Sequence, residues 1–115
     1  MVAQYLRGKG YIIAAQNFSC NYGEIDIIAE SRDTVMFVEV KTRAENYLVA
    51  PADTVDYAKQ MKIANTARVF LSRARLKMKY RFDIAEVVYR KDENGKYRFS
   101  LNYITDAFYA DLGIG

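Results

Sequence analysis

The sequence has no histidine, one cysteine and one proline, and these scarcities exclude several kinds of site. With Cys20 alone and no histidine, the chain can form neither an internal disulfide nor a zinc site of cysteine and histidine ligands. A single cysteine is typical of a reducing compartment, so we expect a cytoplasmic location. No apolar run approaches the roughly 20 residues of a membrane span, and the N-terminus lacks the pattern of a signal peptide. We therefore expect no membrane association.

The length of 115 residues and the apolar share of 51% fit one compact domain covering residues 1–115. Domains typically contain about 100–150 residues, so a second core is not expected.

Basic residues exceed acidic ones only mildly, by 17 to 14, but they are unevenly distributed. Residues 59–81 contain no acidic residue, so one region of positive potential is expected there. A solvated helix face followed by a basic loop fits the same pattern. The cations of this stretch are Lys59, Lys62, Arg68, Arg73, Arg75, Lys77, Lys79 and Arg81.

Apolar periodicity and turn residues predict an α/β chain in the order αβββαββ. The first helix covers residues 2–7 and is ended by Gly8 and Gly10, and a second helix starts at an Asp53 N-cap and runs to about residue 75. A loop containing Pro51 is expected at 43–52, a two-residue hairpin at Asn94-Gly95, and a packed apolar tail from residue 104. The predicted strands are 11–18, 24–30, 35–42, 80–89 and 97–103.

Charged residues interrupt the second and third strands, at Glu24 and Asp26 and again at Glu39 and Lys41. A short loop joins these strands, and symmetric pairing gives a register in which paired residue numbers sum to 65, as 26 and 39 do. Asp26 then faces Glu39, and Glu24 faces Lys41. Because side chains alternate along a strand, the charged residues share one face of the sheet with Phe37. The opposite, core face is expected to carry Ile25, Ile27, Val38 and Val40.

The opposed pair Asp26 and Glu39 needs a reason, because like charges about 4.5–5.5 Å apart at Cβ destabilise a sheet. A hard divalent cation supplies one: Mg²⁺ takes oxygen ligands and is usually held by one or two carboxylates and several waters. Without metal, one of the two carboxyls should have a raised pKa. Lys41, on the same face, can contact a phosphate oxygen or an attacking water, which suits phosphodiester hydrolysis. An ion pair of Glu24 with Lys41 on a solvated face is the alternative, and it leaves Asp26 and Glu39 unexplained.

These residues resemble a known nuclease signature. Asp26, followed in the next strand by Glu39-Val40-Lys41, is similar to the PD-(D/E)XK nuclease motif. A longer set of residues, between about 3 and 89, closely resembles the YraN-like family, uncharacterised bacterial proteins similar to archaeal Holliday-junction resolvases. That set comprises Gly10-Tyr11, Asn17, the stretches at 23–29 and 37–43, Lys59 with Ala67, and Arg81-Phe82-Asp83.

The resemblance implies a restriction-endonuclease-like core, in which a mixed central β-sheet is flanked by helices. It implies that Asp26 and Glu39 are catalytic carboxylates that bind Mg²⁺ or Mn²⁺, with the Val40 carbonyl as a further ligand. Lys41 takes the place of the catalytic lysine.

Other residues of the same motifs receive accessory roles. Glu24 and Gln60 are accessory candidates at the site, and the cations expected to contact nucleic acid are Arg43, Lys59 and Lys62. YraN-like proteins usually begin with a longer first helix that bears a Gly-Glu pair, whereas this sequence starts at Met1, just before the segment 3–6. We therefore expect either that the first helix is truncated in this sequence or that the protein has a weaker metal site, without that glutamate.

The function expected from this reading is a metal-dependent endonuclease that hydrolyses phosphodiester bonds in branched or structured DNA. A homodimer is compatible with it, because branched-DNA nucleases usually need two cutting sites. Two alternatives remain open: a DNA-binding module that uses its cations without cutting, and an interaction protein of the same fold.

Overall fold

The computed structural model describes residues 1–45, 55–74 and 79–113. These residues form helices and strands in the predicted order αβββαββ. The helices are α1 (Val2–Gly8) and α2 (Tyr57–Ala74). The strands are β1 (Ile12–Cys20), β2 (Gly23–Glu30), β3 (Thr34–Ala44), β4 (Lys79–Lys91) and β5 (Tyr97–Phe108).

The strands form one mixed sheet with the order β1-β2-β3-β4-β5. β3 and β4 are parallel and are connected through α2, while the other neighbouring strands are antiparallel. Parallel neighbours need such a crossover, because a tight turn can join only antiparallel strands. The predicted class is confirmed: the protein has an α/β fold with a central sheet and flanking helices, compatible with a restriction-endonuclease-like core.

Both faces of the sheet carry an apolar core, because neighbouring residues of β3 point to opposite sides. Val35 and Phe37 pack with residues of α2, whereas Met36 and Val38 pack with Leu6 and its neighbours on α1. The prediction of one apolar and one charged face is therefore wrong along this part of the sheet. The charged residues of β3 begin only after Val38, at Glu39.

Each edge strand contains an irregularity. In β1 the register shifts between Ile13 and Ala15, and Asn17 has a φ of 53°. In β5 the register shifts opposite residues 82–84 of β4, and Asp106 has a φ of 55°. Positive φ is uncommon outside glycine, and asparagine and aspartate tolerate it best.

The irregularity of β1 extends to β2 and corrects one predicted orientation. Ile25 and Ile28 both pack in the cluster with α2, although they are three residues apart. Strict alternation is therefore broken between them, and the placement of Ile25 on the opposite face was wrong. Ile27 and Val38 do lie on that opposite face, as predicted.

Several element boundaries differ from the predicted ones, and β5 runs to Phe108 rather than to residue 103. β3 continues through Ala44, so the strand includes the first residues of the predicted loop. α2 begins at Tyr57, because the Asp56 carboxylate accepts a hydrogen bond from the Lys59 backbone N–H at 2.8 Å and so caps the helix. Pro51 and the proposed Asp53 cap lie outside the described residues.

The β4–β5 hairpin is confirmed, but its connection is longer than two residues. It covers residues 92–96, and Asp92 organises it: Oδ1 accepts hydrogen bonds from the backbone N–H groups of Asn94 and Lys96, each at 2.9 Å. Arg98 donates to Oδ2 at 2.9 Å.

The tail packs against the body, as predicted. Leu112 is 2% exposed, its N–H donates to the Tyr80 hydroxyl at 2.9 Å, and its carbonyl accepts from Arg68 Nε at 3.1 Å. None of the helices in the described ranges is long and apolar enough to cross a membrane.

Candidate functional site

Asp26 lies where β2 and β3 stop pairing. The two strands pair in the predicted register, from Glu30 opposite Val35 to Ile27 opposite Val38. Asp26, the neighbour of Ile27 toward the start of β2, is the first residue that is no longer paired with β3. Here the Asp26 side chain takes the place of a backbone hydrogen bond between the strands, since its Oδ2 accepts a hydrogen bond from the Val40 N–H at 2.7 Å. Asp26 is therefore fixed against the segment of β3 that carries Glu39 and Lys41.

Glu39 has a mostly buried side chain, 11% exposed, that is paired with a cation of α2. Its Oε1 lies 3.3 Å from Lys59 Nζ. Burial raises the pKa of the Glu39 carboxyl above its ordinary value, and the negative charge of Asp26 raises it further, while Lys59 and Lys41 act in the lowering direction. The prediction that one carboxyl of the pair has a raised pKa is confirmed, and the two carboxylates are electrostatically coupled.

Lys41 follows Glu39 by two residues and is half-buried. In the parallel pairing of β3 with β4 it lies beside Glu86. The cross-strand ion pair of Lys41 with Glu24 does not occur among the ion pairs of residues 1–45, 55–74 and 79–113. Glu24 instead pairs in register with Ser19 of β1 and is exposed, so its accessory role stays a prediction.

In the first turns of α2, one predicted residue contacts a carboxylate of the candidate site, and another bonds to a backbone carbonyl instead. Lys59 is the residue that reaches Glu39. Gln60 uses its amide within the chain, since Nε2 donates to the Val55 carbonyl at 2.8 Å. Lys62 is exposed one turn further along the helix.

Arg43 binds a buried acid that the sequence pattern did not single out. Its Nε lies 2.9 Å from Glu86 Oε2, and Glu86 is 4% exposed. Asn102 of β5 also donates to Glu86, at 3.4 Å. The signal that could have identified Glu86 is a carboxylate inside an apolar strand. The nucleic-acid role of Arg43 stays a prediction, with its guanidinium held by Glu86 in this structure.

Asp83, also in β4, is fully buried and belongs to the other face of the sheet. It accepts hydrogen bonds from Arg81 Nε at 3.0 Å, from the Tyr103 hydroxyl at 2.6 Å and from the Asp106 N–H at 2.9 Å. Burial, and then the bond to Asp83, raise the pKa of Tyr103 far above its ordinary value. This network satisfies the buried carboxylate by structural partners alone.

Several cations of the 59–81 stretch are neutralised by neighbouring carboxylates. Lys59 is paired with Glu39, Lys79 with Asp33 at 3.6 Å, and Arg81 with Asp83. Arg75 and Lys77 lie outside the described residues. The positive potential of this stretch is thus partly offset where the structure describes it.

The oxygen donors at the β2–β3 divergence fit a hard divalent cation. Asp26 and Glu39 supply two coupled carboxylates, and Val40 is held beside them by its bond to Asp26. Within the part of the chain that the structure describes, no three or more His, Cys, Asp or Glu side chains are grouped to hold a metal. Mg²⁺ is usually held by one or two carboxylates and several waters, so Asp26 and Glu39 are the side chains that could hold such an ion here.

The sequence is similar to a defined group of bacterial proteins. Residues 1–87 match the profile of the uncharacterised protein family UPF0102. A UPF0102 protein of Clostridium tetani is 42% identical over 105 residues, which cover 90% of this chain and 84% of the relative. Another, from Caldanaerobacter subterraneus subsp. tengcongensis, is 40% identical over 109 residues, or 94% and 88% of the two chains. A third, from Clostridium acetobutylicum, is 37% identical over 105 residues, covering 90% and 84%. The chain therefore belongs to the uncharacterised protein family UPF0102, the YraN-like family that its motifs resemble.

Proposed function

We propose that the protein is a metal-dependent endonuclease that hydrolyses phosphodiester bonds in DNA. The observation that carries the proposal is the coupled pair Asp26 and Glu39, with Lys41 following on the same strand. A buried carboxyl whose pKa is raised by a second carboxylate is stabilised by any cation placed between them. Acids with perturbed pKa values are concentrated at functional sites.

The residues divide the chemistry between them. Asp26, Glu39 and the Val40 carbonyl would hold Mg²⁺ or Mn²⁺, which when bound polarises the phosphate and lowers the pKa of a bound water. The bond from Val40 N–H keeps Asp26 Oδ2 oriented. Lys41 places a positive charge where negative charge develops on the phosphate, or orients the attacking water.

Two exposed cations of α2 suit the substrate backbone. Lys59 is 50% exposed although it is paired with Glu39, and Lys62 lies one turn away. A metal held by Asp26 and Glu39 would neutralise Glu39, and the Lys59 ammonium would then be available for a phosphate. Branched or structured DNA is the substrate class that the similarity to Holliday-junction resolvases suggests.

The test compares Asp26→Asn with wild type in two assays. Mn²⁺ binding is measured by electron paramagnetic resonance, and cleavage is measured on branched, single-stranded and duplex DNA. We expect Asp26→Asn to lose both binding and cleavage. Lys41→Ala should keep Mn²⁺ binding and lose cleavage by about 10²–10³-fold, since it removes only transition-state stabilisation. Asp33→Asn changes an exposed carboxylate and serves as the matched control. Wild-type protein that neither binds Mn²⁺ nor cuts any of these DNAs would refute the proposal.

A second candidate, a DNA-binding module that does not cut, is favoured by one contact. Lys59 already supplies Glu39 with a cation at 3.3 Å, so the site is partly neutralised without metal. In that case DNA affinity falls steeply with salt, by a slope of about 0.9 per phosphate contact, while Lys41→Ala has no cleavage to remove. Metal-dependent cleavage that Lys41→Ala abolishes would exclude this candidate.

A further inference from the structure

The β4–β5 hairpin carries an exposed aromatic surface that the candidate site does not use. The pairing of β3 with β4 ends at Ala44 with Tyr89, and beyond that point β4 pairs with β5 up to Lys91 with Tyr97. Tyr89, Tyr97 and Phe99 cluster on this part of the hairpin, with ring centroids 5.9–6.5 Å apart. We call these three residues the aromatic ribbon.

The rings share one face of the sheet and are accessible. Tyr89 is opposite Phe99 in register, and Lys91 is opposite Tyr97. By alternation they lie on the same side as Ala85 and Val87, the side of α1. Tyr97 is 55% exposed and Phe99 56% exposed, and the two rings lie side by side, so they form a contiguous exposed patch.

The hairpin that carries the ribbon has more cations than acids. Residues 89–99 contain four cations, Arg90, Lys91, Lys96 and Arg98, against the two acids Asp92 and Glu93. Arg90 and Arg98 are paired with acids and by alternation lie on the opposite face, so Lys91 and Lys96 are the cations considered for the ribbon. Lys91 Nζ lies 5.3 Å from the centre of the Tyr97 ring. A groove of about 590 Å³ beside the ribbon is lined by Ala44, Glu45, Tyr89, Arg90, Lys91 and Tyr97. The carboxylate of Glu45 in this groove is paired with Arg90 at 3.6 Å.

We propose that the aromatic ribbon binds unpaired nucleotides of a single-stranded nucleic acid, with bases stacked on Tyr97 and Phe99 and phosphates contacted by the neighbouring lysines. Exposed aromatic rings interleaved with cations are the arrangement by which proteins bind single strands without sequence preference. Duplex bases are already stacked and offer no free face to these rings. A second copy of the hairpin would bring a net charge of +2 against +2 over residues 89–99, four cations minus two acids in each copy, so charge favours a polyanion over self-association.

This proposal rests on the nuclease function proposed above and deepens it. The role of the aromatic ribbon in that function is to select DNA with unpaired segments. Tyr89 and Lys91 follow Ile84, the β4 neighbour of Glu39, by five and seven residues. At about 3.3 Å per residue the ribbon lies roughly 17–23 Å along the strands from the level of Glu39. It faces the α1 side, whereas Glu39 contacts α2, so the ribbon holds a part of the strand away from the scissile bond.

The test measures binding of a fluorescein-labelled 20-nucleotide oligothymidylate and of a blunt duplex by anisotropy, with EDTA present to prevent cleavage. The double variant Tyr97→Leu/Phe99→Leu keeps apolar side chains on the hairpin and removes the stacking surfaces. We expect its affinity for the oligothymidylate to fall about tenfold or more, with duplex affinity within twofold of wild type. Tyr109→Leu changes a ring that is 73% exposed outside the ribbon and should change neither affinity.

A second variant keeps the test independent of hairpin folding. Lys91→Gln/Lys96→Gln leaves the rings in place and should reduce the salt slope of oligothymidylate binding by about 0.7 for each phosphate that the variant no longer neutralises. Unchanged oligothymidylate affinity in the leucine variant, or an equal decrease on duplex, would overturn the proposal. So would a wild-type dimer in light scattering that the leucine variant dissociates, since the ribbon would then be a self-association surface.

Failure of this inference can be told apart from failure of the nuclease function. One outcome would refute only the proposal for the aromatic ribbon: metal binding and cleavage depend on Asp26, while oligothymidylate binding is unchanged in the leucine variant. Loss of oligothymidylate binding in that variant, when the wild-type protein neither binds Mn²⁺ nor cuts any of the DNAs, would refute the nuclease function alone.

Discussion

Glu39 and Asp83 are carboxylates on the two parallel strands, and their contacts give them different roles. Asp83 is fully buried, and structural groups of the chain donate hydrogen bonds to both of its oxygens. Glu39 has one cation at 3.3 Å and is coupled to a second carboxylate, Asp26. A satisfied buried acid holds a fold together, whereas a coupled pair gains from an added cation. At the scale of single residues, this difference marks Glu39 as the ligand candidate.

The raised pKa of Glu39 predicts how stability depends on pH. Burial, then Asp26, raise this pKa above its ordinary 4.5, so the folded protein binds more protons than the unfolded chain in the window just above that value. The contribution of Glu39 to the stability of the folded protein is fully present below pH 4.5. It is lost as the pH rises through the pKa that Glu39 has in the folded protein. Urea unfolding in EDTA over a pH series measures it. Glu39→Gln should remove this part of the slope, and an identical slope in both proteins would contradict the assignment.

Replacing Asp83 is expected to have a large effect on stability and no effect on metal binding. Asp83→Ala leaves Arg81 and the Tyr103 hydroxyl without their buried acceptor, and should lower the free energy of unfolding by about 3–5 kcal/mol. Asp33→Ala breaks only exposed contacts, with Lys79 and with the Thr34 hydroxyl, and should stay near wild type. Denaturant titration compares the two. An Asp83 variant as stable as the Asp33 variant would mean that the network contributes little.

At the scale of helices and strands, the sequence predicts what local pattern determines. Alternation and a short loop were enough for the β2–β3 register, so the proximity of Asp26 to Glu39 could be anticipated. The side of Ile25 could not, because the irregular pairing near Asn17 breaks the alternation without a distinct apolar pattern. The ion pairs of Lys59 with Glu39 and of Arg43 with Glu86 join elements distant in sequence, and only the parallel β3–β4 pairing and the position of α2 bring them together.

The turn between β4 and β5 predicts that Asp92 supports the hairpin. Hydrogen bonds from the Lys96 and Asn94 backbone and from Arg98 lower the pKa of Asp92 below its ordinary 3.8. Its stabilising contribution is therefore present above pH 3.8 and is lost as pH falls through the lowered pKa. Asp92→Ala should lower the Tm at pH 7 by roughly a few degrees, and the difference from wild type should shrink at acidic pH. Glu93→Ala, in the same turn, is the control, and equal Tm values for the two variants would contradict the role of Asp92.

At the scale of the whole molecule, β3 links the two cores, since alternate residues of this one strand enter both apolar clusters. We therefore expect one cooperative unfolding transition for the chain. Leu6→Ala, a change on α1 at a fully buried position, should cost about 2–5 kcal/mol and shift circular dichroism and tyrosine fluorescence together. Two transitions, or a shift in one signal alone, would show that the clusters unfold separately.

The irregularities at Asn17 and Asp106 have a consequence for how the protein behaves when concentrated. The sheet is open, so β1 and β5 both present backbone groups on which a further strand could assemble. Each of these strands contains a residue with positive φ and a shift in register, which interrupt its regular pairing edge. Such interruptions are a known protection against edge-to-edge aggregation. Asn17 and Asp106 are thus expected to help keep separate molecules from joining through the sheet.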